Sequence, residues 1–198
     1  MQRVIIASNN KNKIYEFKKI LNLENIEFVS LNDIGFHDEI DETGKTFEEN
    51  ALIKAKEIAL KFNMITISDD SGIEVEALNW APGVHSKRFS PTCDDNDNNK
   101  LLIEKLQGEA NRVARYTCAI CICHPNGDYR IVKDHCYGII VDEPVGDKGF
   151  GYDPHFYVEE YKTTLANVSV EDKNKISHRA KAIRGILSIC DENLNFKR

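Results

Sequence analysis

Val4-Ile5-Ile6-Ala7-Ser8-Asn9-Asn10-Lys11-Asn12-Lys13 is the stretch that decides the fold class: an apolar run stops at a polar loop, and a helical pattern starts directly after it. Ile14, Phe17, Ile20 and Leu21 recur at the three- and four-residue intervals of one helix face. The segment predicts strand, loop and helix in succession. Thr46 followed by Glu49 forms a capping box that opens a second helix, through Phe62. Met64 to Ser68 then reads as a buried strand that stops at Asp69-Asp70-Ser71-Gly72, with Ile73 to Leu78 as a further extended stretch. Strand and helix alternating over the first 80 residues is an α/β pattern.

Trp80 to Asn99 reads as loop, with Ala81-Pro82-Gly83 and an acidic, Asn-rich patch ahead of a helix at about Lys100 to Leu106. Tyr116 to Cys123 and Tyr129 to Lys133 flank Pro125-Asn126-Gly127-Asp128, and Asn-Gly between two such runs signals a hairpin. Gly138 to Val141 predicts a third strand of that sheet. A glycine-rich loop at 146 to 154 precedes a last helix from about Ser177 to Cys190. No linker or internal repeat interrupts the pattern, so residues 1–198 read as a single domain.

The 198 residues are 41% hydrophobic and 29% charged, which suits one sizeable core or two small lobes and excludes a disordered chain. Against 32 Asp and Glu stand 26 Lys and Arg, a net charge of −6 that repels long nucleic acid. A small anion is still acceptable where a few cations and a divalent metal converge. No apolar run approaches the roughly 20 residues of a membrane-spanning helix, and the apolar start is too short for a secretory signal. These features predict a cytosolic protein with six free thiols.

Ser8-Asn9-Asn10-Lys11-Asn12-Lys13 lies where first-turn N–H groups and the helix dipole favour phosphate oxygens, and Lys13 adds a full charge. The same residues also read as a plain N-cap with surface lysines. Lys54 falls on the line of Phe47, Ala51 and Ile58, so it must snorkel or meet an anion. Asp69 and Asp70 are costly to crowd together without a positive partner, and Mg2+ prefers such oxygen ligands. Neighbours on a strand face opposite ways, so only one of the two easily addresses a given site; a solvated acidic turn is the alternative.

Gly146-Asp147-Lys148-Gly149-Phe150-Gly151-Tyr152-Asp153-Pro154 sets two aromatics among three glycines. Phe150 or Tyr152 can stack on a base there, or tuck into the core. Lys173, Ser177, His178 and Arg179 gather cations at a helix start against the dipole's preference, which points to an acceptor-rich partner or to a solvated basic face. Two leads fail. Gly44-Lys45-Thr46 lacks the first glycine and the preceding strand of a phosphate loop, and on an extended strand Cys118 and Cys121 point apart, which opposes a tetrahedral zinc site with Cys123 and His124.

In order along the chain, Ser8-Asn9-Asn10 with Lys13, Glu42 to Thr46 with Asn50 and Lys54, Asp69-Asp70-Ser71-Gly72, Pro82-Gly83, the Gly149 to Pro154 loop and Ser177-His178-Arg179 resemble the inosine triphosphate pyrophosphatase (Ham1 or RdgB-type) family. The resemblance runs from residue 4 to about 190. It implies an elongated, two-lobed α/β fold with a central mixed β-sheet flanked by helices and a cleft between the lobes. It further implies a homodimer that uses Mg2+ to hydrolyse the non-standard purine nucleotides ITP, dITP and XTP to monophosphate and pyrophosphate, cleansing the nucleotide pool.

By motif position, the resemblance gives Ser8, Asn9, Asn10, Lys11, Asn12, Lys13 and Lys54 to the triphosphate, and Glu42 with Asp70 to the metal. Asp70 would also activate water, and Ser71 would touch the nucleotide. Phe150, Gly151, Tyr152, Asp153, Lys173, His178 and Arg179 would form the base pocket. A nucleotide sensor would not need Glu42 and Asp70 together, whereas a hydrolase of standard dNTPs would share the acids and differ in the pocket.

Overall fold

The computed structural model describes residues 1–21 and 23–197. Its seven strands are β1 (Gln2–Ile6), β2 (Ile26–Ser30), β3 (Thr66–Val75), β4 (Val113–Cys123), β5 (Tyr129–Ile140), β6 (Phe156–Val158) and β7 (Thr163–Thr164). The α-helices are α1 (Lys11–Ile20), α2 (Phe47–Phe62), α3 (Asp95–Lys105), α4 (Val170–Ile176) and α5 (His178–Ile189). The strands form a sheet of order β2-β1-β3-β4-β5-β6-β7. It is mixed: β1 runs parallel to β2 and β3, while β5, β6 and β7 pair antiparallel. Parallel neighbours need crossover connections, which α1 and α2 occupy in sequence. The α/β expectation holds.

Contacts divide the chain into two compact units. Unit 1 comprises Met1–Asp70, Cys118–Asp134 and the described residues from Arg179 on; unit 2 comprises Ser71–Thr117 and His135–His178. In unit 1, Val4, Ile6, Phe17, Leu21, Ile67 and Ile120 are among the apolar side chains that pack a dry core with α5 residues Ile183 and Ile186. In unit 2, Ile73, Leu102, Tyr116, Tyr152 and Phe156 belong to a separate buried cluster.

Local signals explain the helix starts. Asn10 closes the N-terminus of α1 by accepting the N–H groups of Asn12 and Lys13 at 3.0 and 3.2 Å. Thr46 and Glu49 make both bonds of the expected capping box at α2, which satisfies donors that the first turn otherwise leaves unpaired.

Three expectations need correction. First, β3 does not stop at Asp69-Asp70-Ser71-Gly72 but runs straight through it. Each carboxylate has its own partners on its own side of the strand, and the Ile73 N–H continues the line by donating to Ser86 Oγ at 2.8 Å; beyond it, Glu76–Leu78 turns as a 3-10 helix. Second, α3 begins at Asp95, five residues before the expected start. Asp94 caps it, and acids in the first turn suit the dipole; the Asn-rich composition hid a helix whose Asn98 and Asn99 are buried. Third, Gly138 to Val141 is not a third strand, because β5 continues unbroken to Ile140 and β6 pairs with that end. The last helix, expected from about Ser177 to Cys190, is α5, and a separate helix, α4, which Ser169 caps through the Asp172 N–H, precedes it.

Candidate active site

The two adjacent aspartates of β3 are treated in opposite ways, as side chains alternating along a strand allow. Asp69 is fully buried. Its Oδ2 lies 3.0 Å from Lys13 Nζ of α1 and 3.2 Å from Arg179 Nε of α5, with Cys118 Sγ at 4.0 Å. Burial alone would raise its pKa, but Lys13 and Arg179 outweigh that and hold it well below the usual carboxylate range. Arg179 also ion-pairs with Glu16, a buried acid on α1. Lys13, Asp69, Arg179 and Glu16 thus form one connected chain of charges inside unit 1.

Asp70 instead accepts a hydrogen bond from the neutral Asn50 amide, Nδ2 to Oδ2 at 3.0 Å. Burial raises its pKa above the ordinary value; Lys54 and Lys13 oppose this, and Glu42 adds to it. Asn50 Oδ1 in turn accepts the Gly44 N–H at 2.8 Å, so one α2 side chain ties the Glu42-Thr43-Gly44 turn to Asp70. Lys54 meets an anion within the chain, which the sequence reading did not identify, reaching Glu42 Oε2 at 2.9 Å. Its pKa is lowered by burial but raised further by Asp70, Asp69 and Glu42, with a net upward shift. Glu42, Lys54 and Asp70 are therefore brought within electrostatic reach of one another.

The loop before α1 looks different from its expectation. The Asn12 and Lys13 N–H groups, foreseen as phosphate donors, are occupied by Asn10 Oδ1, and Ser8 Oγ accepts the Asn10 N–H at 3.1 Å. Asn9, Lys11 and Asn12 are exposed. Lys13 is the lysine of this segment that joins the acids.

In unit 2, Asp153 Oδ2 accepts from Lys173 Nζ at 2.7 Å and from the Phe150 N–H at 3.0 Å. The Lys173 ammonium lies 5.1 Å from the Phe150 ring centroid, and the His178 ring stacks on Tyr116 at 4.8 Å. Ser71 is half-buried on β3. Two residues expected among these are placed otherwise. Tyr152 is a core residue whose hydroxyl donates to the Ser86 carbonyl at 2.7 Å, which leaves Phe150 as the half-buried aromatic of the loop. Arg179 has Nε and Nη1 engaged with Asp69 and Glu16 in unit 1.

Sequence reading missed Glu16, Asp95, Asn99, Tyr116 and Ser86 as neighbours of these groups. Glu16 carried a usable signal, since it sits one residue from Phe17 on the edge of an apolar helix face; Asp95 and Asn99 were hidden by the loop assignment.

Fit to a metal can be judged from the donors. Among the described residues no group of three or more His, Cys, Asp or Glu is placed to hold an ion. Two hard carboxylates, Glu42 and Asp70, suit Mg2+, which takes one or two carboxylates and completes its shell with phosphate oxygens and water.

Comparison with known proteins agrees with the motif order. Residues 4–189 match the profile of the Ham1 family. A dITP/XTP pyrophosphatase of Bacillus licheniformis is 44% identical over 195 residues, covering 97% of this chain and 100% of that protein. The dITP/XTP pyrophosphatase of Bacillus subtilis is 41% identical over 194 residues, with 96% and 98% covered. Among solved structures, the Staphylococcus aureus Ham1 protein superposes with a TM-score of 0.86 at 38% identity, covering 94% of this chain and 97% of that one. A HAM1 protein from Coxiella burnetii gives 0.88 at 35% identity, with 96% and 98% covered.

Proposed function

The chain belongs to the Ham1 family, and we propose that it is a nucleoside triphosphate pyrophosphatase that converts non-standard purine nucleotides (ITP, dITP and XTP) to monophosphate and pyrophosphate. The observation that carries this reading is the contrast on β3. Asp69 is neutralised by Lys13 and Arg179, whereas Asp70 is held by a neutral amide beside Lys54 and Glu42 with its pKa raised. A raised carboxylate pKa brings the group closer to the working range of a general base.

In this reading Lys13 and Lys54 bind the phosphate oxygens and neutralise their charge. Asp70 accepts a proton from water as the water oxygen bonds to the α-phosphorus and the α–β bridging oxygen leaves with pyrophosphate. Glu42 and Asp70 are the residues that would hold Mg2+, which supplies charge neutralisation to the leaving group when bound. Asn50 fixes the direction of Asp70. Unit 2 reads the base: Phe150 offers a ring face, while Lys173 and His178 supply donors suited to the O6 acceptor of hypoxanthine and xanthine. Adenine presents an amino donor there and meets donors in turn. Arg179 is a positioning residue for Asp69. A homodimer and a cytosolic site of action complete the proposal; sedimentation analysis checks the first.

Product analysis tests the reading. With dITP, Mg2+ and 18O-labelled water, the expected products are pyrophosphate and labelled dIMP. Release of orthophosphate, or label in the pyrophosphate, would reject attack at the α-phosphorus.

A further inference from the structure

The Asn-rich start of α3 is a sequence feature that the proposed function leaves unused, and its side chains reach the loop that carries Phe150. Asp95 Oδ2 accepts the Gly151 N–H at 2.9 Å, while Oδ1 of the same carboxylate lies 2.9 Å from Lys87 Nζ. Asn99 Nδ2 donates to the Gly151 carbonyl at 2.9 Å and to the Asp95 carbonyl at 2.8 Å. Both polar groups of Gly151 are therefore held from a single helix.

This residue is one that needs holding. Gly149 and Gly151 have φ of +78° and +63°, a region open to glycine, so Phe150 is carried between two backbone hinges with wide conformational freedom. On its other side the loop is fixed by Asp153 on the Phe150 N–H and by Tyr116 on the Tyr152 N–H at 3.1 Å. The amide orientation of Asn99 is fixed by chemistry, since a flipped group would set its oxygen against two carbonyls. In that orientation Oδ1 is buried with no hydrogen-bond partner among the described residues. One amide donor of Asn99 holds the Gly151 carbonyl of the loop and the other the Asp95 carbonyl of α3, while the acceptor is left unsatisfied, and a buried group in that state calls for an explanation.

We propose that Asp95 and Asn99 are positioning residues for base recognition: by clamping the Gly151 peptide they fix Phe150 and Asp153 where these meet the purine. This rests on the proposed function, and the test separates the two. Each variant is assayed for dITP and dGTP hydrolysis, with inorganic tripolyphosphate as a competitive inhibitor that has no base to recognise.

Asn99→Asp replaces two donors by oxygen facing two carbonyls, and should raise KM for dITP at least about 10-fold while kcat stays within about 3-fold. The preference for dITP over dGTP should shrink, and inhibition by tripolyphosphate should stay within about 2-fold of wild type. Asp95→Ala should follow the same pattern, and Asp95→Asn, which keeps an acceptor for Gly151, should recover most of the loss.

Asn98→Asp is the control. Asn98 is equally buried on α3 but bonds to Ser90 and Lys87, so a fold defect without a base effect would show there. Unchanged KM and selectivity in Asn99→Asp and Asp95→Ala overturn the proposal, as does an equal loss of tripolyphosphate inhibition or the same shift in Asn98→Asp. If Asn99→Asp does not fold, the Asp95 variants decide. Wild-type protein inactive on dITP overturns the proposed function itself.

Discussion

Unit 1 and unit 2 each bury a carboxylate against a lysine, yet the two arrangements are built for different tasks. In unit 1 the ionic groups outnumber their neutral partners: Lys13, Asp69, Arg179 and Glu16 link in one chain, and Lys54 and Glu42 pair beside Asp70. In unit 2 the buried pair of Lys173 with Asp153 sits at the foot of a loop whose N–H groups donate to side-chain oxygens of Asp153, Asp95 and Tyr116. Lysines set among acids suit, in the proposed reading, a triphosphate that brings a divalent cation with it. A loop pinned by directional hydrogen bonds suits a flat, neutral base that is told apart by its donors and acceptors. In the proposed function, charge marks where the chemistry is placed, and hydrogen-bond geometry marks where the choice is made.

The largest expected effect sharpens the contrast inside unit 1. Asp70→Asn removes the base and a metal ligand together and should lower dITP turnover by about 10^3-fold or more, each role being worth roughly 10^2. Its fold should persist, because the lost group is a carboxylate that burial disfavours when ionised. Turnover near the wild-type level at saturating Mg2+ would remove Asp70 from the mechanism. If Asp70 is the base, the wild-type kcat/KM should fall on the acid side as its carboxylate is protonated.

Asp69→Asn should invert this pattern. It leaves Lys13 and Arg179 facing a neutral amide, and losing one member of a buried pair costs about 3 kcal/mol. A clear drop in the urea midpoint is expected, with a smaller fall in turnover through misplaced Lys13. The linkage has a definite sign. The folded pKa of Asp69 lies below its unfolded value, so its stabilisation is present above pH near 4 and disappears as the pH falls through the folded pKa. Wild-type protein should lose stability on acidification in that window, and the variant should lose less.

Two smaller effects probe unit 2. Lys173→Met strands the buried Asp153 carboxylate and frees Phe150, and should raise KM for dITP about 10-fold with kcat little changed. Tyr152→Phe removes the hydrogen bond to Ser86 and should cost about 1 kcal/mol of stability with no change in base preference. A shift in the ratio of dITP to dGTP turnover in Tyr152→Phe would contradict the assignment of Tyr152 to the core.

Much of this arrangement was legible in the sequence where local chemistry decides the outcome. The capping box at Thr46, the strand-loop-helix at Val4 to Lys13 and the Asn-Gly hairpin are short-range signals, and they hold. Alternation along a strand also separated Asp69 from Asp70 in advance. What the sequence hid was long-range. Arg179 reads as a solvated or ligand-facing cation until α5 is packed beside α1, where it meets Glu16. Tyr152 reads as a stacking ring until the Ser86 carbonyl receives its hydroxyl. The Asp95 to Asn99 segment reads as loop because polar residues that serve as caps and clamps resemble polar residues that merely face water.

The most direct test of the division between the two units is base preference in the wild-type protein. Values of kcat/KM for dITP and XTP, set against dATP and dGTP and scored by pyrophosphate release, should differ by at least about 10^2 in favour of the first two, the range that hydrogen-bond matching and shape provide. Equal turnover of dATP or dGTP with dITP would contradict the assignment of base choice to the Phe150 to Asp153 loop, and would favour a hydrolase of standard dNTPs.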